Sequence, residues 1–254
     1  MHSPEQTYEE LEDDRASRER EIRLIENTIA KSSNEQEQNM LRRSLVLLAY
    51  AHLEGFVKFS LAAYAGAVNS LQLQCKDAST PLVALTLSRA FSALRDANSK
   101  HPEFSRLSED KELHLLARER SFIENFERII STQVEIPDHV VDTKSNLSSL
   151  VLKRNLYQLG LKYPIVAKHG STIDRLLGMR NAIAHGDKLK TPKPHDISEY
   201  LSASFAVMKF VQDEIFAALR DKAYQRDASL PLTLPLPPTG LVTKAIEFIK
   251  SVRI

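Results

Sequence analysis

Apolar residues recur at intervals of three and four along most of the chain, and no run of alternating β-branched residues persists. The pattern predicts an all-α protein, a helical bundle with long antiparallel helices. Leu11, Ile22, Ile25 and Ile29 mark a first helix over about residues 5–31, within a dense charged remainder. A second, over about residues 35–73, holds the most apolar stretch, "SLVLLAYAHLEGFVKFSLAAYAGAV". Its length would suffice to span a bilayer, but His52, Glu54 and Lys58 lie near its middle, where charge is expensive in lipid. It is expected to be the buried central helix of a soluble protein.

"KDASTP" separates that helix from a third running to about Ala97, with Ser79 or Thr80 placed to cap and Pro81 in the first turn. After the connector "NSKHPEFSRLSED", "KELHLLARERSFIENFERII" predicts a fourth helix with Leu113, Leu116, Phe122, Ile123, Phe126 and Ile130 inward. Residues 131–147 read as an exposed loop, and "LSSLVLKRNLYQLG" as a short helix ended by Gly160. Thr172 to His185 forms a further helix. Asp196, with Glu199 three positions on, starts the last long one in a capping-box pattern, carried by Leu201, Phe205, Met208, Val211, Ile215 and Leu219 to about Tyr224. The four prolines of "ASLPLTLPLPPTG" require an extended linker, and "LVTKAIEFIKSVRI" suits one short amphipathic helix that folds back on the core or docks on a partner. The chain thus divides into a helical domain over 1–225 and a Pro-rich linker with a short amphipathic segment over 226–254.

At 254 residues and 43% hydrophobic content the chain can bury a sizeable core, which excludes a disordered protein. The single cysteine, Cys75, excludes a disulfide framework and a Cys-based zinc site, and is expected to be an inert helix-end residue in a reducing compartment. The acidic N-terminus has no apolar signal region, so a cytoplasmic location and no membrane association are expected. Charge is unevenly spread. Residues 1–14 carry six carboxylates and no Lys or Arg, whereas Lys144 to Pro194 holds ten basic residues against two acidic ones. That field either serves a polyanion or is a solvated face balanced in space by the acidic N-terminus.

"GMRNAIAHGDK", inside the basic quarter, places Arg180, Asn181 and His185 at the end of a small-residue helix that stops at Gly186. Asn181 and His185, four apart, share a face, while Arg180 stands about 140° around from His185 and meets it only if the helix loosens at its end. A histidine takes and gives a proton near neutral pH, and a permanently charged, forked arginine holds a phosphate. Asn181 can orient the imidazole or bond a phosphate oxygen. These parts suit attack of an RNA 2′-hydroxyl on its adjacent phosphate, with His185 as acid or base and no metal or other cofactor. The alternative is a helix-end histidine bonding the last carbonyls and an arginine on a solvated face.

"RNAIAHG" resembles the Arg-x4-His signature of the HEPN superfamily. "LRRSLVLLAYAHLEGFVKFSL" and "SNLSSLVLKRNLYQLGLK" are similar, in the same order, to helical segments of the bacterial MAE-type HEPN-like nucleases. The resemblance covers roughly residues 15–220 and leaves out the C-terminal tail. It implies an all-α homodimer in which two motif helices face each other, and a metal-independent ribonuclease of toxin–antitoxin or phage-defence type. Arg180, His185 and Asn181 would then be catalytic, with a dimer required for activity. In HEPN toxins silenced by nucleotidyltransferase antitoxins, a tyrosine that becomes AMPylated follows the histidine after one residue. Asp187 stands there in this chain, which argues against that route.

Glu54, with Tyr50 and Lys58 one turn to either side, is a carboxylate at the catalytic cleft by the resemblance, or half of an intrahelical Glu54–Lys58 pair by its spacing. His52 reads as a satisfied core or edge histidine. Asp174 lies near the motif or stabilises its helix start. Arg175 is a candidate RNA contact, and so are Lys188, Lys190 and Lys193, with His195 in the same loop, which solvation alone would also explain. No His-Glu-x-x-His, glycine-rich phosphate loop, nucleophile elbow or Cys/His metal spacing occurs, and "KHGSTID" lacks a third partner for its histidine and serine. The partners expected are therefore RNA, tRNA or mRNA among the options, a second copy of the chain, and an antitoxin or sensor protein. Two rival readings stand: a non-catalytic HEPN nucleotide- or RNA-binding module in a larger defence or regulatory complex, and a purely structural helical dimer.

Overall fold

A computed structural model describes residues 3–107, 110–141, 146–187 and 190–227. The described residues form nine α-helices: α1 (Pro4–Lys31), α2 (Glu35–Ser70), α3 (Thr80–Thr86), α4 (Ser88–Arg95), α5 (Lys111–Glu124), α6 (Phe126–Ile130), α7 (Ser149–Gln158), α8 (Pro164–Ala184) and α9 (Pro194–Arg220). Among them there is no β-strand, only two isolated antiparallel bridges. The all-α expectation holds.

Local signals set the starts of the long helices. Ser3 and Gln6 form a reciprocal capping box before Pro4, and Asn34 accepts the Gln36 and Glu37 N–H groups at the head of α2. α2 then runs through the centre, packed against α1, α8 and α9. It is long and apolar enough to cross a membrane, but half of its most apolar window is buried inside the protein. Leu45, Leu53, Phe56, Leu61 and Tyr64 of α2 meet Leu11 and Ile22 of α1, Ile173 and Leu176 of α8, and Met208, Val211 and Ile215 of α9. Full burial of such a side chain stabilises the fold by roughly 1.5–3 kcal/mol. A polar clasp sets the register of α1 on α9. Fully buried Gln212 accepts from Arg15 Nε at 2.9 Å and donates to Glu12 at 2.8 Å, while Arg15 also pairs with Glu12 and Glu19.

Several sequence expectations need correction. The third helix is two, α3 and α4, bent at Leu87 (φ −85°, ψ 6°). The fourth is also two, broken at Asn125, and Leu116, Ile123 and Phe126 point outward at 61%, 70% and 44% exposure. His114, Ala117 and Arg118 face inward instead, because they stitch down the preceding connector. His114 Nδ1 accepts the His101 N–H at 2.9 Å, and Arg118 donates to the Ser99 and Asp96 carbonyls. The segment after α6 is no exposed loop where it is described. Val134, Ile136, Val140, Val141 and Leu147 are buried, and the Asn69 amide brackets Ile136 by bonding both its N–H and its C=O. Cys75 is buried at the start of a 3₁₀ turn after α2.

α8 begins at Pro164, eight residues before the expected start, so "KHGSTID" is internal to it. α9 begins at Pro194, and Asp196 acts one turn inside, accepting the Lys193 N–H at 3.0 Å. Glu199 pairs with Arg175 and His195 rather than completing a cap. The tail expected to hold the Pro-rich linker and amphipathic segment lies outside the described residues from position 228 onward.

Candidate functional site

The last turn of α8 closes in a Schellman motif. His185 is the C-cap (φ −82°, ψ 8°), and Gly186 follows at φ +83°, a left-handed conformation that a side chain would strain. The Gly186 N–H donates to Ile183 O at 3.1 Å and the Asp187 N–H to Ala182 O at 3.0 Å, satisfying carbonyls the helix end would leave orphaned. The turn delivers the His185 imidazole, exposed, to the rim. The imidazole makes no hydrogen bond to a described residue.

Arg180 faces the other way. Its guanidinium lies 4.8 Å over the centre of the Tyr50 ring, and Nη1 donates to Asn181 Oδ1 at 2.8 Å. Tyr50 is fully buried, and its Oη accepts the Leu147 N–H at 2.5 Å. Burial first, and then the negative charge of Glu54, push the Tyr50 phenol up to about 12, against the opposing pull of the Leu147 bond and of Arg180. Glu54 is itself half-buried one turn along α2. The structure thus gathers Tyr50, Glu54, Arg180 and Asn181 on one side of the α2–α8 contact. A cation held over an aromatic face gains ~0.5–2 kcal/mol and keeps its planar fork oriented for a bidentate anion.

Within one chain Arg180 and His185 make no hydrogen bond to each other, and because α8 stays helical through Ala184, five residues set their directions from the helix axis about 140° apart. The loop that follows is tied to α2. Arg43 Nη1 donates to the Asp187 carbonyl at 2.8 Å and to the Lys190 carbonyl at 2.5 Å. Arg43 and Tyr50 as elements of the site were not foreseen. Each acts across more than ninety residues of sequence, where no local spacing gives a signal.

Lys190 and Lys193 are exposed along the loop, and Lys188 lies outside the described residues. Arg175 is exposed and paired: it bonds Glu199 and lies 5.9 Å from the centre of the Tyr200 ring. Asp174 does not join the motif and is not in a first turn. Its carboxylate accepts the Ser149 N–H at 2.8 Å and the Ser149 hydroxyl at 2.6 Å, which ties the start of α7 to α8. His52 is an edge histidine, Nε2 lying 3.0 Å from Glu21 Oε2, with burial lowering its pKa.

The RiboL-PSP-HEPN family matches this chain over residues 13–217, a span that starts within α1, takes in α2 to α8 and covers nearly all of α9. No curated protein and no solved structure matches it.

Proposed function

We propose that this chain, which belongs to the RiboL-PSP-HEPN family and hence to the HEPN superfamily, is a metal-independent endoribonuclease whose site is completed between two copies. Family membership supports an RNA-related module. The observation that carries the finer reading is the opposed presentation of Arg180, stacked on Tyr50, and His185, exposed at the Schellman turn. Neither side chain is placed to serve the other in one protomer. A second motif helix facing the first brings His185 of one copy to Arg180 of the other.

In that arrangement the 2′-hydroxyl of RNA loses its proton to an imidazole and attacks the adjacent phosphorus, and the 5′-oxygen leaves with a proton returned from an imidazole. The products are a 2′,3′-cyclic phosphate and a 5′-hydroxyl end. Arg180 and Asn181 hold the phosphate oxygens and stabilise the charge that builds there. Glu54 orients this cluster from α2, and Lys188, Lys190 and Lys193 meet the backbone as it leaves the cleft. We further assign the activity to a toxin or antiphage-defence effector acting in the cytoplasm, restrained by an antitoxin or triggered by a sensor.

Incubating the purified chain with RNA in EDTA tests this. Cleavage by the wild type, with a loss of ~10²–10⁴-fold in His185→Ala and a comparable loss in Arg180→Ala, is expected. Metal-dependent cleavage, or full activity in His185→Ala, would overturn it. A binding module with the same cleft would lose RNA affinity in these variants and show no turnover in any.

A further inference from the structure

The acidic N-terminus does not neutralise the basic quarter of the chain. α1 packs against α2 and α9 and makes no contact with α7 or α8. On α7, Lys153, Arg154 and Tyr157 are all exposed, and their spacings of three and four put them on one face. The chain turns at Gly160 and re-enters as α8, so that Lys162 and Tyr163 come to lie beside this face. There Lys153, Lys162, Tyr163 and Pro164 line a pocket of about 510 Å³. Tyr157 is 65% and Tyr163 36% exposed. The two rings meet edge to face, with centroids 6.2 Å apart and planes at 69°, and the Lys153 ammonium lies 5.5 Å from the Tyr163 ring centre. Two carboxylates lie near Lys162: Glu214 accepts its backbone N–H at 2.8 Å, and Asp221, paired with Arg220, also feels its charge.

Exposed aromatic faces can each take a stacked base, and the cations beside them attract an anionic ligand and disfavour a cationic one. Aromatic faces interleaved with lysine and arginine are what a single strand needs: a π-face for the base and a cation for each phosphate. A duplex keeps its bases stacked within and has nothing to offer these rings. We infer that the face formed by α7 and the first turn of α8 is a docking platform for single-stranded RNA, with Tyr157 and Tyr163 stacking bases and Lys153, Arg154 and Lys162 holding phosphates.

This deepens the nuclease reading and rests on it for the substrate. Pro164 and Arg180 lie at opposite ends of α8, sixteen residues or roughly 24 Å apart along the axis. A strand held at the platform therefore reaches the motif end only by running along α8. The platform selects substrates with an unpaired stretch beyond the cut.

The test is fluorescence anisotropy of a labelled fifteen-nucleotide RNA on the full chain carrying His185→Ala, at two salt concentrations, beside an RNA duplex of equal length. Tyr157→Ala and Tyr163→Ala should each weaken single-strand binding about tenfold, within the range that loss of base stacking produces. Tyr157→Phe and Tyr163→Phe should keep it, and Lys153→Ala with Lys162→Ala should flatten its salt dependence. Both tyrosines are exposed, so melting temperature and oligomeric state should not change. Unchanged single-strand affinity in both Tyr→Ala variants would overturn the platform, as would duplex binding that matches the single strand and is equally indifferent to the tyrosines. If the wild type cuts no RNA yet the tyrosine variants still lose single-strand affinity, the nuclease reading fails and the platform stands. If the wild type cuts and the tyrosine variants bind and cut as well as it does, the platform alone fails.

Discussion

Tyr50 links the core of the protein to its candidate site. Its hydroxyl holds the Leu147 N–H, its ring carries the Arg180 guanidinium, and its phenol registers the charge of Glu54. The phenol's folded-state pKa, about 12, lies above its ordinary value of 10.0. A raised pKa means that the associated stability is fully present below about pH 10 and is lost as pH rises through about 12. Removing the Glu54 charge should therefore bring tyrosinate formation at Tyr50 to lower pH. Absorbance titration of the wild type and Glu54→Gln, each read as the difference from the same chain with Tyr50→Phe, checks this. An unmoved Tyr50 titration would place Glu54 away from the cluster. At this scale, Arg180, Asn181 and His185 were legible because the motif is local and its spacing alone says which residues share a helix face. Tyr50 was visible only as a neighbour of Glu54, since the arginine that stacks on it comes from 130 positions later. The pairing of Arg175 and the place of Asp174 were hidden for the same reason. Their partners, Glu199 and Ser149, sit on other helices.

Two helix ends carry the same device with different surroundings. Gly160 after α7 and Gly186 after α8 both take positive φ, +73° and +83°. A Cβ at Gly160 would lie 3.3 Å from Pro81, whereas one at Gly186 meets nothing within 4 Å. Gly186→Ala should therefore cost only the backbone conformation, ~1–2 kcal/mol, and Gly160→Ala measurably more, because Pro81 at the start of α3 must shift. Equal losses in denaturant unfolding would show that the α7–α3 contact yields freely. Both glycines were readable in sequence as stops. Starts were harder, although Pro164 and Pro194 each sit at the first helical position, where proline favours a start. The inward face of α5 was misread because Arg118 and His114, polar in composition, satisfy carbonyls and an N–H of the connector before it, which leaves the apolar positions outside. Hydrophobic pattern predicts the inner face only where the neighbour being covered is itself apolar.

Across the whole molecule, α1, α2, α8 and α9 form the scaffold, and its charge is divided between an acidic α1 and a basic α7–α8 side that do not touch. The helical class, the central place of α2 and the long C-terminal helix were legible, since sustained apolar periodicity survives any arrangement of neighbours. A site of the proposed kind, shared between two chains, would leave no such trace. The scaffold stacks Arg180 on the buried Tyr50 ring and leaves His185 exposed, and on the proposed reading each catalytic unit takes its arginine from one copy and its histidine from the other. Mixing purified Arg180→Ala and His185→Ala chains, allowing them to exchange, and measuring RNA cleavage in EDTA tests this most directly. Each variant alone should be inactive, and the equimolar mixture should recover a substantial fraction of wild-type cleavage, because every mixed dimer retains one intact pair. A mixture with exchange verified that stays as inactive as its components would contradict the claim.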